Sequence, residues 1–99
     1  MKRWPVSFDW DEGNREKCQK HGVSLSEIET LLRGTPRVAP NHKHSWVEER
    51  FIAVGRNTRG QAMFVVFAIR ERNGDLFVRP ISARYMHREE IEGYEKESS

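Results

Sequence analysis

The chain has 99 residues and a formal net charge of +2, with 36% hydrophobic and 32% charged residues, which excludes an intrinsically disordered protein. The one cysteine, Cys18, excludes an internal disulfide and favours a reducing cytoplasm. We expect a single domain over residues 1–99, without a signal peptide or a membrane span, since the longest apolar run, Ala62 to Ile69, is far shorter than the ~20 residues of a span.

The first elements predicted are a short strand and a surface helix. Phe8-Asp9-Trp10 places aromatic residues at alternate positions, as in a strand. Asp11 is a suitable N-cap for a helix over about Glu12 to His21. Gly22 suits the left-handed position that ends such a helix.

A second helix and a loop follow. The capping-box sequence Ser24-Leu25-Ser26-Glu27 opens the helix, and Gly34-Thr35-Pro36 ends it. Four apolar residues recur with the helical period and are expected in the core: Leu25, Ile28, Leu31 and Leu32. Residues 36–48 are polar, contain two prolines, and predict a loop.

Three strands and a helix are predicted in the rest of the chain. The strands cover Glu49 to Arg56, Gln61 to Arg70 and Leu76 to Ala83, and the apolar middle strand is expected to be buried on both faces. Asn73-Gly74 favours a tight turn, and Pro80 predicts a sheet edge or a bulge. A Glu-rich helix over His87 to about Lys96 follows the last strand.

This order of elements predicts an α+β fold with a small, mostly antiparallel sheet. A short N-terminal strand and two helices precede a three-stranded meander, and a C-terminal helix follows it. When the helices pack on one face of such a sheet, the other face is left open for a ligand.

The charges are unevenly distributed along the chain. Residues 1–35 have net charge 0, residues 36–88 have ten basic and four acidic side chains, and residues 89–99 have net charge −4. The basic middle segment favours a polyanionic ligand. An ordinary solvated surface with scattered arginines explains the charge equally well. The acidic tail could cover the basic segment or dock against a basic partner.

Several sequence blocks resemble the BrnT family of toxins from bacterial type II toxin–antitoxin pairs. The resemblance extends from Phe8 to Tyr94, and the blocks that carry it are Phe8 to Asn14, Lys20-His21-Gly22-Val23-Ser24, Glu49-Arg50 with Val54-Gly55, Val65-Val66-Phe67 and Ile81-Ser82-Ala83-Arg84. It implies a RelE-like fold and RNA cleavage without a metal or other cofactor. It also implies a small DNA-binding antitoxin, BrnA-like, that forms a hetero-oligomer with the toxin and binds operator DNA. Lys17 and Tyr85-Met86 depart from residues that many members have.

Cleavage of RNA by its own 2′-hydroxyl needs a base, an acid and positive charge at the phosphate. Arg50, Arg70 and Arg84 lie near predicted strand ends, which can meet at one rim of a meander, and Arg84 is the foremost candidate for binding phosphate. Glu49 is a candidate base, although only one of Glu49 and Arg50 is expected to face the site. The alternatives are a structural salt bridge to a helix carboxylate for Arg84 and an exposed strand carboxylate for Glu49.

Further candidates lie on the first helix and in the loops. Lys20 and His21 match the Lys-His-Gly block, with Lys20 as an RNA contact and His21 as a general acid or, equally, a helix cap. Lys17 shares their helix face and is a second RNA contact. His44 matches a histidine of the family, and Tyr85 is a candidate for stacking on a base or, equally, a core residue.

Two other functions compete with a ribonuclease. Cys18, His21, His42, His44 and His87 do not have the spacing of a zinc site, so no metal ligands are predicted. A non-catalytic module could use the same basic surface to hold RNA or an acidic protein without cleaving a bond.

Overall fold

The computed structural model describes residues 7–41 and 48–98, which form three helices and one five-stranded sheet. The strand order is β1-β5-β4-β3-β2, with β1 parallel to β5 and all other neighbours antiparallel. The α+β class and the predicted order of elements are confirmed, with one strand added. In chain order the elements are β1 (Ser7–Phe8), α1 (Glu12–Gln19), α2 (Leu25–Arg33), β2 (Arg37–Pro40), β3 (Phe51–Arg56), β4 (Ala62–Arg72), β5 (Asp75–Tyr85) and α3 (Arg88–Ser98).

Strand β2 is the added element, and the prediction of a loop over residues 36–48 is wrong for its first part. Arg37–Pro40 pairs antiparallel with β3, and all four of its residues are exposed. An exposed edge strand has no buried face and hence no alternating pattern in its sequence. Residues 42–47 lie outside the described residues.

Strands β4 and β5 form a long hairpin that extends beyond both predicted strands. Its turn has Asn73 at φ 53° and Gly74 at φ 85°, the left-handed pair that a two-residue hairpin turn favours. The register shifts between Val66, which pairs with Ser82, and Phe67, which pairs with Pro80. The bulge predicted from Pro80 is therefore confirmed.

The core lies between the sheet and the first two helices. Met63, Val65 and Phe67 of β4 are buried there, together with residues of α1, α2, β3 and β5. On the opposite face of β4, Ala62 and Ala68 are buried, but Phe64 and Val66 are only half-buried. The prediction that β4 is buried on both faces is therefore confirmed only in part, because α1 and α2 both pack on the same side of the sheet.

The two predicted N-caps hold the helices in place. Asp11 and Ser24 each form a capping box, with Asn14 and Glu27 as the reciprocal partners. Helix α1 ends at Gln19, slightly before the predicted end, and Gly22 has the expected positive φ of 92°.

Candidate nucleic-acid interface

The sheet face opposite α1 and α2 carries seven arginines, and we name it the arginine face. Side chains alternate along a strand, so residues next to the buried positions of β3, β4 and β5 point to this face. Val54 and Phe64 pair there, with Arg37 next to Val54 and Arg84 next to Phe64. The arginines of this face are Arg37, Arg50, Arg56, Arg70, Arg72, Arg79 and Arg84, of which Arg72 and Arg79 form ion pairs with Asp9 and Asp11.

Arg84 lies on the half-buried part of the arginine face, and its guanidinium group makes a bidentate contact with a carboxylate. Its Nη1 and Nη2 donate to the two oxygens of Glu90, at 2.7 and 2.6 Å. Its guanidinium carbon lies 4.1 Å from the centre of the Phe64 ring, which supports it from below. Since Glu90 belongs to α3, this contact is the salt bridge to a helix carboxylate that the sequence left open as the alternative to phosphate binding. The Arg84 guanidinium is nonetheless a flat, two-pronged donor above an aromatic ring.

The Arg84–Glu90 contact shifts the protonation equilibria of both residues. Hydrogen bonding from Arg84, and then from the His87 backbone N–H, lowers the pKa of Glu90 to about 2. Hydrogen bonding to Glu90 raises the pKa of Arg84 in turn. Both groups are thus fully charged at neutral pH, and the Arg84 fork is matched to an anion with two oxygens.

Arg50 and Arg70 form a second basic cluster on the arginine face. Both contact Glu48, with Arg70 Nη2 at 3.0 Å and Arg50 Nε at 3.8 Å from its carboxylate oxygens. The Nε–H of Arg50 is buried and has no hydrogen-bond partner among residues 7–41 and 48–98.

The three predicted arginines do not meet at one rim. Arg84 pairs with Phe64, six residues from Arg70 on β4, a separation of about 20 Å along the strand. The expectation of a shared rim is therefore wrong, although all three side chains share one face. Arg84 and the Arg50–Arg70 cluster therefore lie far apart on that face.

The carboxylate in the Arg50 cluster is Glu48 and not the predicted Glu49. Glu49 is exposed, and one residue further Arg50 turns towards Glu48 and Arg70. The alternation of side chains could have identified Glu48, because residues two apart share a face. The role of Glu49 as a base stays a prediction.

The predicted residues on and after α1 lie in the helical layer, away from Arg84. Lys17 and Lys20 are exposed and border a shallow surface depression with Gly13, Glu16 and Gln19. His21 is exposed beyond the end of the helix, where the N–H of Gly22 donates to the Gln19 carbonyl at 3.0 Å. Their roles in RNA binding and acid catalysis stay predictions.

Tyr85 faces the helices and not the arginine face. Its hydroxyl lies 3.0 and 2.8 Å from the two oxygens of Glu27, which also accepts from Asn57 at 2.7 Å. Burial favours the neutral form of Glu27, but hydrogen bonds from Ser24, Asn57 and Tyr85 outweigh it and lower the pKa of Glu27 to about 2. This geometry supports the core alternative for Tyr85.

The Glu27 cluster borders a cavity of about 430 Å³ between α2, β3 and the β3–β4 turn. Sequence reasoning identified Glu27 only as a capping residue, because its contacts with Asn57 and Tyr85 are tertiary. The hydrogen bonds saturate the carboxylate, so Glu27 holds the fold together and is not poised to accept a proton.

Two histidines remain to be placed. His44 lies outside the described residues. His87 was considered in the sequence only as a metal ligand, yet it follows Arg84 by three residues and is exposed beside Glu90. Its position makes it an additional candidate for proton transfer near Arg84.

No group of three metal-ligating side chains is found in the described part of the chain. Cys18 is fully buried in the core, and burial raises the pKa of its thiol to about 11, so the thiolate is not accessible as a ligand or nucleophile. None of the described helices has the length and apolarity that crossing a membrane requires.

Comparison with known proteins identifies the family. Residues 10–90 match the family model described as the ribonuclease toxin BrnT of a type II toxin–antitoxin system. A search of curated proteins gives no match. Since the family model covers most of the 99 residues, the chain belongs to the BrnT family of ribonuclease toxins of type II toxin–antitoxin systems.

Proposed function

We propose that this protein is a metal-independent endoribonuclease whose Arg84 binds the scissile phosphate of RNA. The observation that carries the proposal is the bidentate contact of Arg84 with Glu90, at 2.7 and 2.6 Å. An arginine fork that accommodates two carboxylate oxygens also fits two phosphate oxygens. The Glu90 carboxylate thus occupies the position that the phosphate would take.

The reaction is an attack of the ribose 2′-oxygen on the adjacent phosphorus. The bond from phosphorus to the 5′-oxygen breaks, leaving a 2′,3′-cyclic phosphate and a 5′-hydroxyl. A base removes the proton of the 2′-hydroxyl, and an acid protonates the departing 5′-oxygen. Arg84 stabilises the extra negative charge on the phosphate in the transition state, a contribution that a metal ion supplies in other nucleases.

The open sheet face supplies the rest of the RNA-binding surface in this proposal. Arg50 and Arg70 would contact phosphates about 20 Å from Arg84, and the half-buried Phe64 and Val66 lie between them. Because His21 lies in the helical layer, away from Arg84, we assign the acid at Arg84 to His87. The roles of Glu49 as base and His21 as acid stay predictions. A DNA-binding antitoxin of the BrnA type would neutralise the enzyme by covering this face.

A cleavage assay in excess EDTA tests the proposal. End-labelled single-stranded RNA is incubated with the wild type, Arg84→Ala and Arg15→Ala, which removes one exposed arginine from the helical layer. We expect fragments with cyclic phosphate ends from the wild type and Arg15→Ala, and a rate at least about 100-fold lower from Arg84→Ala.

Three other results would each contradict one part of the proposal. Wild-type cleavage that stops in EDTA would exclude the metal-independent reaction. A folded Arg84→Ala protein of normal activity would exclude Arg84. RNA that is bound but stays intact would instead support a non-catalytic binding module.

A further inference from the structure

Helix α3 lies across the arginine face and contacts three of its arginines. Glu90 binds Arg84, and Glu95 binds Arg56 at 3.0 Å. The guanidinium carbon of Arg37 lies 5.4 Å from the centre of the Tyr94 ring. Since these arginines belong to β5, β3 and β2, the helix crosses the strands and covers one end of the sheet.

The side chains with which α3 contacts the arginines resemble the groups of an RNA strand: they are anions and an aromatic ring. Two carboxylates take the positions of phosphates at Arg84 and Arg56, and an aromatic ring stacks on Arg37 as a base would. Glu90 and Glu95 are separated by about 7.5 Å along the helix, so their charges reach arginines on two different strands. The helix therefore occupies the groups that a single-stranded polyanion would use.

We propose that α3 is an intramolecular competitor of RNA, and that Arg37, Arg56 and Arg84 together bind the RNA strand once α3 has left the sheet. This inference rests on the proposed function, because it concerns the same face. It adds Arg37 and Arg56 to the RNA-binding residues. It also assigns the protein a closed form, in which α3 covers these arginines, and an open form, in which RNA replaces it.

Of the ion pairs that join the described residues of α3 to the sheet, only the Arg84–Glu90 pair is bidentate and half-buried. The Arg56 and Glu95 side chains are 44% and 59% exposed, and exposed ion pairs contribute little to stability. The apolar residues of α3 that approach the sheet, Ile91 and Tyr94, are only half-buried. A helix held in this way opens at a small free-energy cost compared with the core.

The charges of the two segments favour the closed form without fixing it. Residues 89–99 have net charge −4 and residues 36–88 have net charge +6, so the two attract each other. An RNA strand has one negative charge per nucleotide and extends beyond the reach of α3 towards Arg50 and Arg70. It can therefore displace the helix by making more charge contacts.

Two pairs of substitutions in the full-length chain test the inference. Glu90→Gln with Glu95→Gln removes the carboxylates that face the sheet. Glu89→Gln with Glu92→Gln removes two exposed carboxylates of the same helix and changes the net charge equally. Binding of fluorescent single-stranded RNA, 2′-O-methylated to prevent cleavage, is measured for both and for the wild type by anisotropy.

We expect the Glu90/Glu95 variant to bind at least about tenfold more tightly than the wild type, and the Glu89/Glu92 variant to stay within about threefold of it. Equal tightening in both variants would overturn the inference and leave RNA binding intact. If none of the three proteins binds RNA, the proposed function itself is overturned, and the inference with it. Circular dichroism confirms that the variants keep their helices.

Hydrogen exchange of the wild type gives a second test that needs no substitution. Added RNA should speed exchange of the α3 amides while those of β4 stay protected. Unchanged or slower exchange of α3 in the RNA complex would show that the helix remains on the sheet, which contradicts the inference.

Discussion

Tyr85 and Glu27 are 58 residues apart in the chain, yet the Tyr85 hydroxyl lies within 3.0 Å of both Glu27 carboxylate oxygens. Glu27 also accepts from the Ser24 N–H and from the Asn57 side chain. One carboxylate thus joins the start of α2, the β3–β4 turn and the end of β5. These contacts form the Glu27 junction and lie on the side of the sheet opposite the arginine face. They hold the end of β5, the strand that carries Arg84, against α2.

Replacing Tyr85 by Phe should destabilise the protein by about 1–2 kcal/mol, because a hydrogen bond to a charged carboxylate is lost. RNA affinity should stay unchanged, since the ring faces the helices. Urea unfolding and RNA binding measure the two effects. A smaller loss in a Glu27→Gln background would confirm that the two residues act together. A loss of RNA affinity at unchanged stability would instead support base stacking by Tyr85.

Acid should weaken the Glu27 junction in a defined pH range. The pKa of Glu27 is about 2 in the folded protein, below its ordinary value of 4.5. The stabilisation is therefore fully present above about pH 4.5 and is lost as the pH falls towards about 2. We expect Glu27→Gln to be less stable than the wild type at pH 7 and equally stable near pH 2. Exposed Glu16→Gln is the control, and a constant difference across this range would contradict the assignment.

Gly55→Ala should lower the free energy of unfolding by about 1–3 kcal/mol. A methyl group at Gly55 would lie 2.4 Å from Leu31 Cδ1, so α2 or the Leu31 side chain must shift. Gly93→Ala on α3, where a methyl group meets open space, is the matched control and should be neutral or slightly stabilising. Thermal unfolding measures both. Equal stability of the two variants would show that α2 adjusts without cost.

Asn14→Asp should destabilise the protein by about 2–3 kcal/mol. The buried Asn14 amide donates to the Asp9 and Pro80 carbonyls, each at 2.9 Å, and a carboxylate would repel both oxygens. Gln19→Ala removes an exposed amide that donates to Arg15 and should change stability by less than about 0.5 kcal/mol. Chemical denaturation compares them, and similar losses would contradict a structural role for the Asn14 amide.

Arg84→Lys should lower the RNA cleavage rate by about 10- to 100-fold although it keeps the charge. A lysine ammonium cannot hold two oxygens in the flat geometry that Arg84 shows with Glu90. Arg33→Lys, on α2, is the control and should keep normal activity. Wild-type cleavage by Arg84→Lys would show that charge alone is sufficient at this position.

The sequence allowed much of the fold to be predicted, because most elements carry local signals. The capping boxes at Asp11 and Ser24, the Asn73-Gly74 turn and the bulge near Pro80 are all found in the structure. Strand β2 was missed because it is exposed and short. The partial exposure of Phe64 and Val66 on one face of β4 was missed because it depends on where the helices pack.

The site was less predictable, since its contacts join distant residues. The Ile-Ser-Ala-Arg block and the basic segment pointed to Arg84, which the structure places on the open sheet face. The pairing of Tyr85 with Glu27 has no local signal, because it forms only when β5 and α2 are brought together. The net charge of the acidic tail suggested that it could cover the basic segment or dock against a basic partner, but the charge alone could not show that Glu90 pairs with Arg84.

The two-residue strand β1 and the Asn14 amide have a consequence for self-association. On strand β5, the residues that follow those paired with β1 include Pro80, which has no N–H to donate. The Pro80 carbonyl already accepts a hydrogen bond from the Asn14 amide. At the other border, β2 ends in Pro40 and carries the charged Arg37. Both borders of the sheet are thus poor templates for a further strand, which protects the protein from edge-to-edge aggregation. An antitoxin is accordingly expected to recognise this toxin through side chains on a face and not by extending its sheet.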